Sequence, residues 1–280
     1  MRLRITEVGP RDGLQNDPRT FSVAQRVRFV DALSEAGFPE IEVGSFVNPK
    51  AVPTMAGSGD VFRGITRRAG TVYSALVPNE RGLDGALEAH ADKISVFVAA
   101  SETFSQRNGG ASIDETLARS ASVMVRARAA GLPVRGYISC VVRCPYEGPI
   151  PTSDVERVAR ALAEAGADEI DLGDTIGAAT PEDIERLVKA MTEDGDIDID
   201  RLTLHLHDTG GRALDCAARG IDLGVRSLDS SAGGLGGCPF APGAPGNLAT
   251  ERLLALAIER GWETGIDPQR VRDALSVLSR

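Results

Sequence analysis

Two of the chain's three histidines stand two residues apart in His205-Leu206-His207. Side chains alternate across a β-strand, so His205 and His207 point to one side and Leu206 to the other. Paired imidazoles on one face are a ligand arrangement; the alternative is two core histidines, each satisfied by a backbone carbonyl. Close to the N-terminus, Gly9-Pro10-Arg11-Asp12-Gly13-Leu14-Gln15-Asn16 follows a strand-like run and offers the carboxylate of Asp12, while Asn247 in Gly246-Asn247-Leu248 offers an amide oxygen. Mixed nitrogen and oxygen donors with open positions suit octahedral Mg2+ or Mn2+ better than structural zinc. Two histidines and a carboxylate also describe the facial triad of non-haem iron oxygenases, a reading that gives Arg11 no task. Beside Asp12, Arg11 is a fixed positive charge suited to a developing oxyanion rather than a plain surface arginine. Cys238 lies in Gly233-Gly-Leu-Gly-Gly-Cys238-Pro239, a stretch too rich in glycine and proline for a helix or a central strand. We read it as a mobile lid with a thiol at its edge, available for acid–base chemistry, against the alternative of an inert buried cysteine. Cys140, within an expected strand, and Cys216, within an expected helix, keep the inert reading. Cys140 and Cys144 lack the second cysteine pair that a zinc knuckle needs.

These residues need a scaffold that gathers them, and the hydrophobic periodicity supplies one. Short β-branched runs at Arg4 to Val8, Glu40 to Ser45, Val72 to Val77, Ile94 to Ala99, Val134 to Val142, Glu169 to Leu172, Leu202 to His207 and Ser227 to Asp229 predict eight strands. Helical stretches fall between them, among them Ser22 to Ala36, Asp114 to Ala130, Ser153 to Ala165, Pro181 to Thr192 and Arg212 to Leu223. The pattern predicts an α/β fold, a (β/α)8 TIM barrel forming one domain over 1–280, with additional C-terminal helices from Leu248 onward. A doubly wound open sheet is the alternative, and the G-x-G-x-x-G and Walker loops that would mark it are missing from the sequence. All the chemistry-bearing motifs follow strands, which in a barrel puts them on one face.

Composition narrows the partners. The 280 residues carry 31 basic and 40 acidic side chains, a net charge of −9, with no basic run to follow a phosphate backbone, so nucleic acid and anionic membranes are not expected. The N-terminus enters a strand pattern at once, with no apolar leader, and no run approaches membrane-span length, so a cytoplasmic protein is expected. Four cysteines in a chain of this length do not make a disulfide scaffold.

Together, Glu7-Val-Gly-Pro-Arg-Asp-Gly-Leu-Gln-Asn16, Glu42-Val-Gly-Ser-Phe-Val-Asn-Pro-Lys50, Cys144-Pro-Tyr-Glu-Gly148, Gly173-Asp-Thr-Ile-Gly177, His205-Leu-His-Asp-Thr209, the Cys238 loop and Gly246-Asn-Leu-Ala-Thr-Glu251 resemble the 3-hydroxy-3-methylglutaryl-CoA lyase family, from about Thr6 to Leu254. The Arg-Asp and His-x-His elements are shared with wider metal-dependent TIM-barrel lyases and Claisen-type synthases; the cysteine loop is particular to the lyase branch. The resemblance implies a divalent metal, Mg2+ or Mn2+, held by Asp12, His205, His207 and Asn247. It implies Arg11 on the thioester carbonyl, Cys238 as a catalytic acid or base and Glu42 in support. It also implies Arg11, Gln15, Ser45, Tyr137, Asp174 and Thr175 around an acyl-CoA substrate. A homodimer is left open. The chain departs from the family pattern at Gly210, Asp171, Arg143 and Ala51, so a larger or more polar 3-substituent on the substrate is an alternative. The implied reaction is a retro-Claisen cleavage to acetyl-CoA and acetoacetate. Its rivals are a Claisen-type synthase, a Schiff-base aldolase using Lys50, the one lysine placed after a strand, and a non-catalytic acyl-CoA-binding barrel.

Overall fold

The computed structural model describes residues 1–237 and 246–278. Its eight main strands are β1 (Arg4–Glu7), β2 (Glu40–Ser45), β3 (Val72–Leu76), β4 (Lys93–Ala99), β5 (Val134–Ser139), β6 (Glu169–Asp174), β7 (Leu202–Leu206) and β8 (Ser227–Ser230). Each runs parallel to its neighbour in the chain, and β8 returns to β1 in the register Arg4↔Ser227 to Glu7↔Ser230, closing the (β/α)8 barrel that the periodicity predicts. A two-residue hairpin pairs Arg143–Cys144 with Gly148–Pro149 above β5.

Alternation along the strands divides two environments. Outward residues such as Ile41, Val43, Val96, Ile138, Ile170, Leu204 and Leu228 are buried beneath the surrounding helices. The inward positions are largely polar. Lys93 Nζ donates to Glu40 at 2.9 Å and to Glu169 at 2.6 Å, and Arg135 reaches Glu169 at 2.9 Å, Asp229 at 2.8 Å and the Thr6 hydroxyl at 3.0 Å. Burying one of these charges alone would cost several kcal/mol, so each is held by opposite charge and hydrogen bonds.

The helices start where the sequence supplies caps. Ser22 and Gln25 form a reciprocal capping box on Val23–Ala36, as do Ser112 and Glu115 on Ile113–Ala129. Gly37 ends the first helix at φ 92°, and a Cβ there would lie 2.8 Å from the Gly265 carbonyl, so both conformation and close approach demand glycine. The C-terminal helices are Thr250–Glu259 and Pro268–Val277; Asp267 N–H bonds the Ala36 carbonyl at 2.8 Å and Arg270 pairs with Glu35, tying the chain end to its first helix.

Most expected boundaries shift by one or two residues, and three of the shifts have a physical cause or consequence. β5 stops at Ser139 rather than Val142, because Cys140 adopts φ 63° and its N–H turns to the Thr175 hydroxyl at 2.8 Å; Cys140 is therefore a loop residue. β7 ends at Leu206, and His207 makes a separate bridge with Asn247. The helix expected from Pro181 to Thr192 is regular only to Lys189.

Lys93 is buried between two carboxylates at the N-terminal end of the barrel, away from the loops that follow the strands, whereas Lys50 is exposed. Lys93→Met should lower stability by about 1.5 to 3 kcal/mol, since it takes a charged hydrogen-bond donor from Glu40 and Glu169 and leaves them to Arg135 and, for Glu169, Arg4. Urea unfolding measures this, and a loss below about 1 kcal/mol would show that Arg135 and Arg4 compensate both carboxylates without Lys93.

Candidate active site

After β1 the chain makes one wide turn in which the N–H groups of Arg11, Asp12 and Gly13 all converge on the Val8 carbonyl, at 3.1, 2.8 and 3.2 Å. This turn sends two consecutive side chains into the barrel mouth. Asp12 faces the histidines: its Oδ2 is 3.9 Å from Nε2 of His205 and 3.9 Å from Nε2 of His207, and the two Nε2 atoms are 3.3 Å apart. A point equidistant from the corners of this triangle lies about 2.2 Å from each, a metal–oxygen or metal–nitrogen bond length. The expected donors Asp12, His205 and His207 thus fit one small cation.

Asn247 is beside them. Its amide nitrogen donates to Asp12 Oδ2 at 2.8 Å and to the Leu235 carbonyl at 3.0 Å, so the nitrogen and not the expected oxygen faces the triangle. Rotation of the amide exchanges the two atoms, and hydrogen bonding alone decides which faces in.

Arg11 is gripped on two sides. Its Nε donates to Glu42 at 2.5 Å and its Nη1 to Asp12 at 2.5 Å, while Nη2 has no hydrogen bond to any described residue. Glu42 is held in turn by the Ser95 hydroxyl at 2.7 Å. The guanidinium carbon lies 5.5 Å from the centre of the Tyr137 ring, which also meets His205 edge-on. Burial works against both charges, but Glu42 and Asp12 raise the Arg11 pKa, and Arg11 followed by the histidines depresses that of Asp12. Burial also opposes the proton on His205, but its hydrogen bond to Asp229 and the charge of Asp12 prevail and lift its pKa to about 9. His207, with burial and the neighbouring His205 both against the proton, falls to about 4.

The other expected site residues divide. Ser45 is buried at the end of β2, its hydroxyl without a partner among the described residues. Gln15 is half-buried, and its carbonyl accepts from Thr54 at 2.9 Å. Tyr137 does not direct its hydroxyl to the mouth: it donates to Asp229 at 3.1 Å, so the ring is a platform under Arg11 and His205. Asp174 accepts from the N–H groups of Ala178 and Ala179, at 3.0 and 2.9 Å, and Thr175 accepts from Cys140; both shape loops after the strands instead of lining the donor triangle. Cys238 lies outside the described residues. Cys140, Cys144 and Cys216 are buried free thiols.

Two residues the motifs did not single out matter to this geometry. Glu7 accepts from the N–H groups of Gly9 and Ala232 and from the Thr250 hydroxyl, joining three loops of the mouth. Asp229, in register with His205 on the adjacent strand, accepts from its Nδ1 at 3.1 Å. The signal for Asp229 was strand parity, which becomes useful once β7 and β8 are known to be neighbours.

The profile of the HMGL-like family matches residues 2–278. The chain belongs to that family. Within the HMGL-like group it is 48% identical, over 98% of its length and 90% of the relative's, to the 3-hydroxy-3-isohexenylglutaryl-CoA/hydroxy-methylglutaryl-CoA lyase of Pseudomonas aeruginosa. The crystal structure of the HMG-CoA lyase from Brucella melitensis superposes with a TM-score of 0.96 at 44% identity, covering 99% of this chain and 98% of that one. An HMG-CoA lyase from Acinetobacter baumannii, in complex with coenzyme A and 3-methylmalate, superposes with a TM-score of 0.92 at 35% identity, covering 98% and 88%.

The His205 shift carries a stability signature in metal-free protein. The folded chain holds this proton more tightly than the unfolded one, whose reference value is 6.5, so the stabilisation is complete below 6.5 and is lost as pH rises through about 9. His207 moves the other way, from the same reference of 6.5 down to about 4, so the stability change it produces falls below that window. Melting temperature should therefore fall more steeply between these two pH values in the wild type than in His205→Gln, and parallel curves would show that His205 is not protonated in the fold.

Proposed function

We propose that the chain is a divalent-metal-dependent carbon–carbon lyase that cleaves 3-hydroxy-3-methylglutaryl-CoA, or a close 3-substituted analogue, to acetyl-CoA and acetoacetate or the corresponding 3-keto acid. One observation carries the reading: a donor triangle sized for a cation shares Asp12 with an arginine whose Nη2 has no hydrogen bond to any described residue. The family membership and the acyl-CoA names of the relatives support it.

Asp12, His205 and His207, with Asn247 after rotation of its amide, would hold Mg2+ or Mn2+. When bound, the ion supplies a Lewis acid that favours the alkoxide form of the substrate's tertiary hydroxyl and orients it. As a base at the mouth takes the hydroxyl proton, the C2–C3 bond breaks; its electron pair passes into the thioester unit as the enolate of acetyl-CoA, and C3 becomes the carbonyl of the keto acid. Arg11 receives the developing enolate oxygen. Glu42 and Asp12 fix two edges of the guanidinium beforehand, so no reorganisation is needed when charge appears. Cys238 is our candidate for the acid that delivers a proton to the enolate carbon. The Pseudomonas aeruginosa relative, named for both an isohexenyl and a methyl substrate, keeps the larger 3-substituent in view.

Chelation should abolish acetyl-CoA release from 3-hydroxy-3-alkylglutaryl-CoA thioesters, and Mg2+ or Mn2+ should restore it. Full turnover by exhaustively metal-free protein would end the metal reading, and a preference across the alkyl panel identifies the substituent.

Arg11→Met should cut kcat about 10²- to 10³-fold while acyl-CoA binding suffers much less. Lysine should rescue little, because a flexible point charge cannot satisfy Glu42 and the substrate in the planar geometry of guanidinium. A rise confined to KM would mean that Arg11 contributes uniform binding and not enolate stabilisation.

A further inference from the structure

Beneath the donor triangle lies a polar layer that the reaction does not consume. Asp229, fully enclosed on β8, has three partners. Its Oδ1 accepts from Arg135 Nη1 at 2.8 Å, and its Oδ2 accepts from the Tyr137 hydroxyl and from Nδ1 of His205, each at 3.1 Å. An ionised carboxylate can only accept, so the ring nitrogen facing it must carry a hydrogen. The rest of the imidazole follows from that: with Nδ1–H committed downward, Nε2 is the atom turned to Asp12 and His207. His207 has no such anchor, and its Nδ1 is buried without a partner among the described residues.

We propose that Asp229 is the positioning residue of the metal centre, holding the proton on His205 Nδ1 and aiming Nε2 at the ion, with Arg135 as its fixed counter-charge. This rests on the metal reading of the site. Asp171 is the other carboxylate nearby, with donor atoms of Asp171, His205 and Asp229 all within 4.8 Å of one another. That group is not a second cation site, because Arg135 Nη1 already stands 2.8 Å from Asp229 and 3.4 Å from Asp171. Nor does Asp171 replace Asp229: among the described residues its Oδ1 has no hydrogen-bond partner and its Oδ2 is 3.4 Å from Arg135, whereas His205 Nδ1 is bonded to Asp229. Carboxylate partners of this kind fix the orientation of ligand histidines, and their loss typically weakens metal binding about 10- to 100-fold.

The test uses the full chain and two readouts other than turnover. In protein labelled with 15N at histidine, His205 should show a slowly exchanging, downfield Nδ1–H resonance with and without Mg2+. In Asp229→Asn that resonance should disappear, and calorimetry with Mg2+ should show affinity falling about 10- to 100-fold. Arg135 keeps Glu169, Glu40 and Asp171 in that variant, so its charge stays compensated. Thr6→Val, which removes a different partner of Arg135, should leave both readouts unchanged. A folded Asp229→Asn protein with wild-type Mg2+ affinity overturns the positioning role, as does a wild-type spectrum with no protected Nδ1 proton, a result that needs no variant to fold. A wild type that shows the protected proton yet binds no divalent cation overturns instead the metal reading on which the role rests.

Discussion

Arg135 joins five of the eight barrel strands to one buried guanidinium. From β5 it reaches Thr6 on β1, Glu40 on β2, Glu169 and Asp171 on β6, and Asp229 on β8. The interior of this barrel is filled with carboxylates and hydroxyls more than with hydrocarbon, and such a filling is tolerable only when a cation with several donors lies at its centre. Guanidinium has five donors in a rigid plane, enough to serve partners on opposite walls at once. The site above inherits that order, since the floor of the donor triangle is made of Arg135's own partners.

The mouth repeats the principle on a smaller scale. Arg11 sits between Glu42 and Asp12, and Asp12 in turn sits between Arg11 and two imidazoles. Each charge is thus oriented by a neighbour of opposite sign or by a hydrogen-bonding ring, and water need not do it. Preorganisation of this kind lets fixed dipoles and charges act on a substrate without paying for their own rearrangement. The wide turn on the Val8 carbonyl makes it workable, because it lets adjacent residues 11 and 12 share one concave surface.

The sequence revealed most where a periodic rule applied. Strand alternation placed His205 and His207 on one face, and the eight repeated units led to a closed barrel whose loops gather at one end. It failed where conformation broke the pattern without changing composition: Cys140-Val141-Val142 reads as strand, yet Cys140 turns left-handed and ends it. It was silent on what a polar side chain bonds within the fold: Tyr137 and Asp174 carry groups fit for substrate, and nothing in the sequence showed that the first also bonds Asp229 and the second two backbone N–H groups. Asp229 and Glu7 escaped notice as site components for the same reason. Nothing in a single Asp or Glu at a strand end announces its partners, which come from β7 and from the segments at 232 and 250 and exist only once the barrel has closed.

The charged interior also bears on how the protein responds to temperature. Exposing apolar surface raises the heat capacity of the unfolded chain, and exposing polar surface lowers it. A barrel that buries Glu40, Glu42, Lys93, Arg135, Asp171 and Asp229 where others bury valine and leucine has a smaller heat-capacity change than its size suggests. Its free-energy curve is correspondingly flatter, changing less on either side of its maximum. The penalty for keeping these groups from water also shrinks on warming, because the hydration of ions is entropically unfavourable. The same residues that make the floor of the mouth polar therefore broaden the range of temperature over which that mouth keeps its shape, a property calorimetry reads directly.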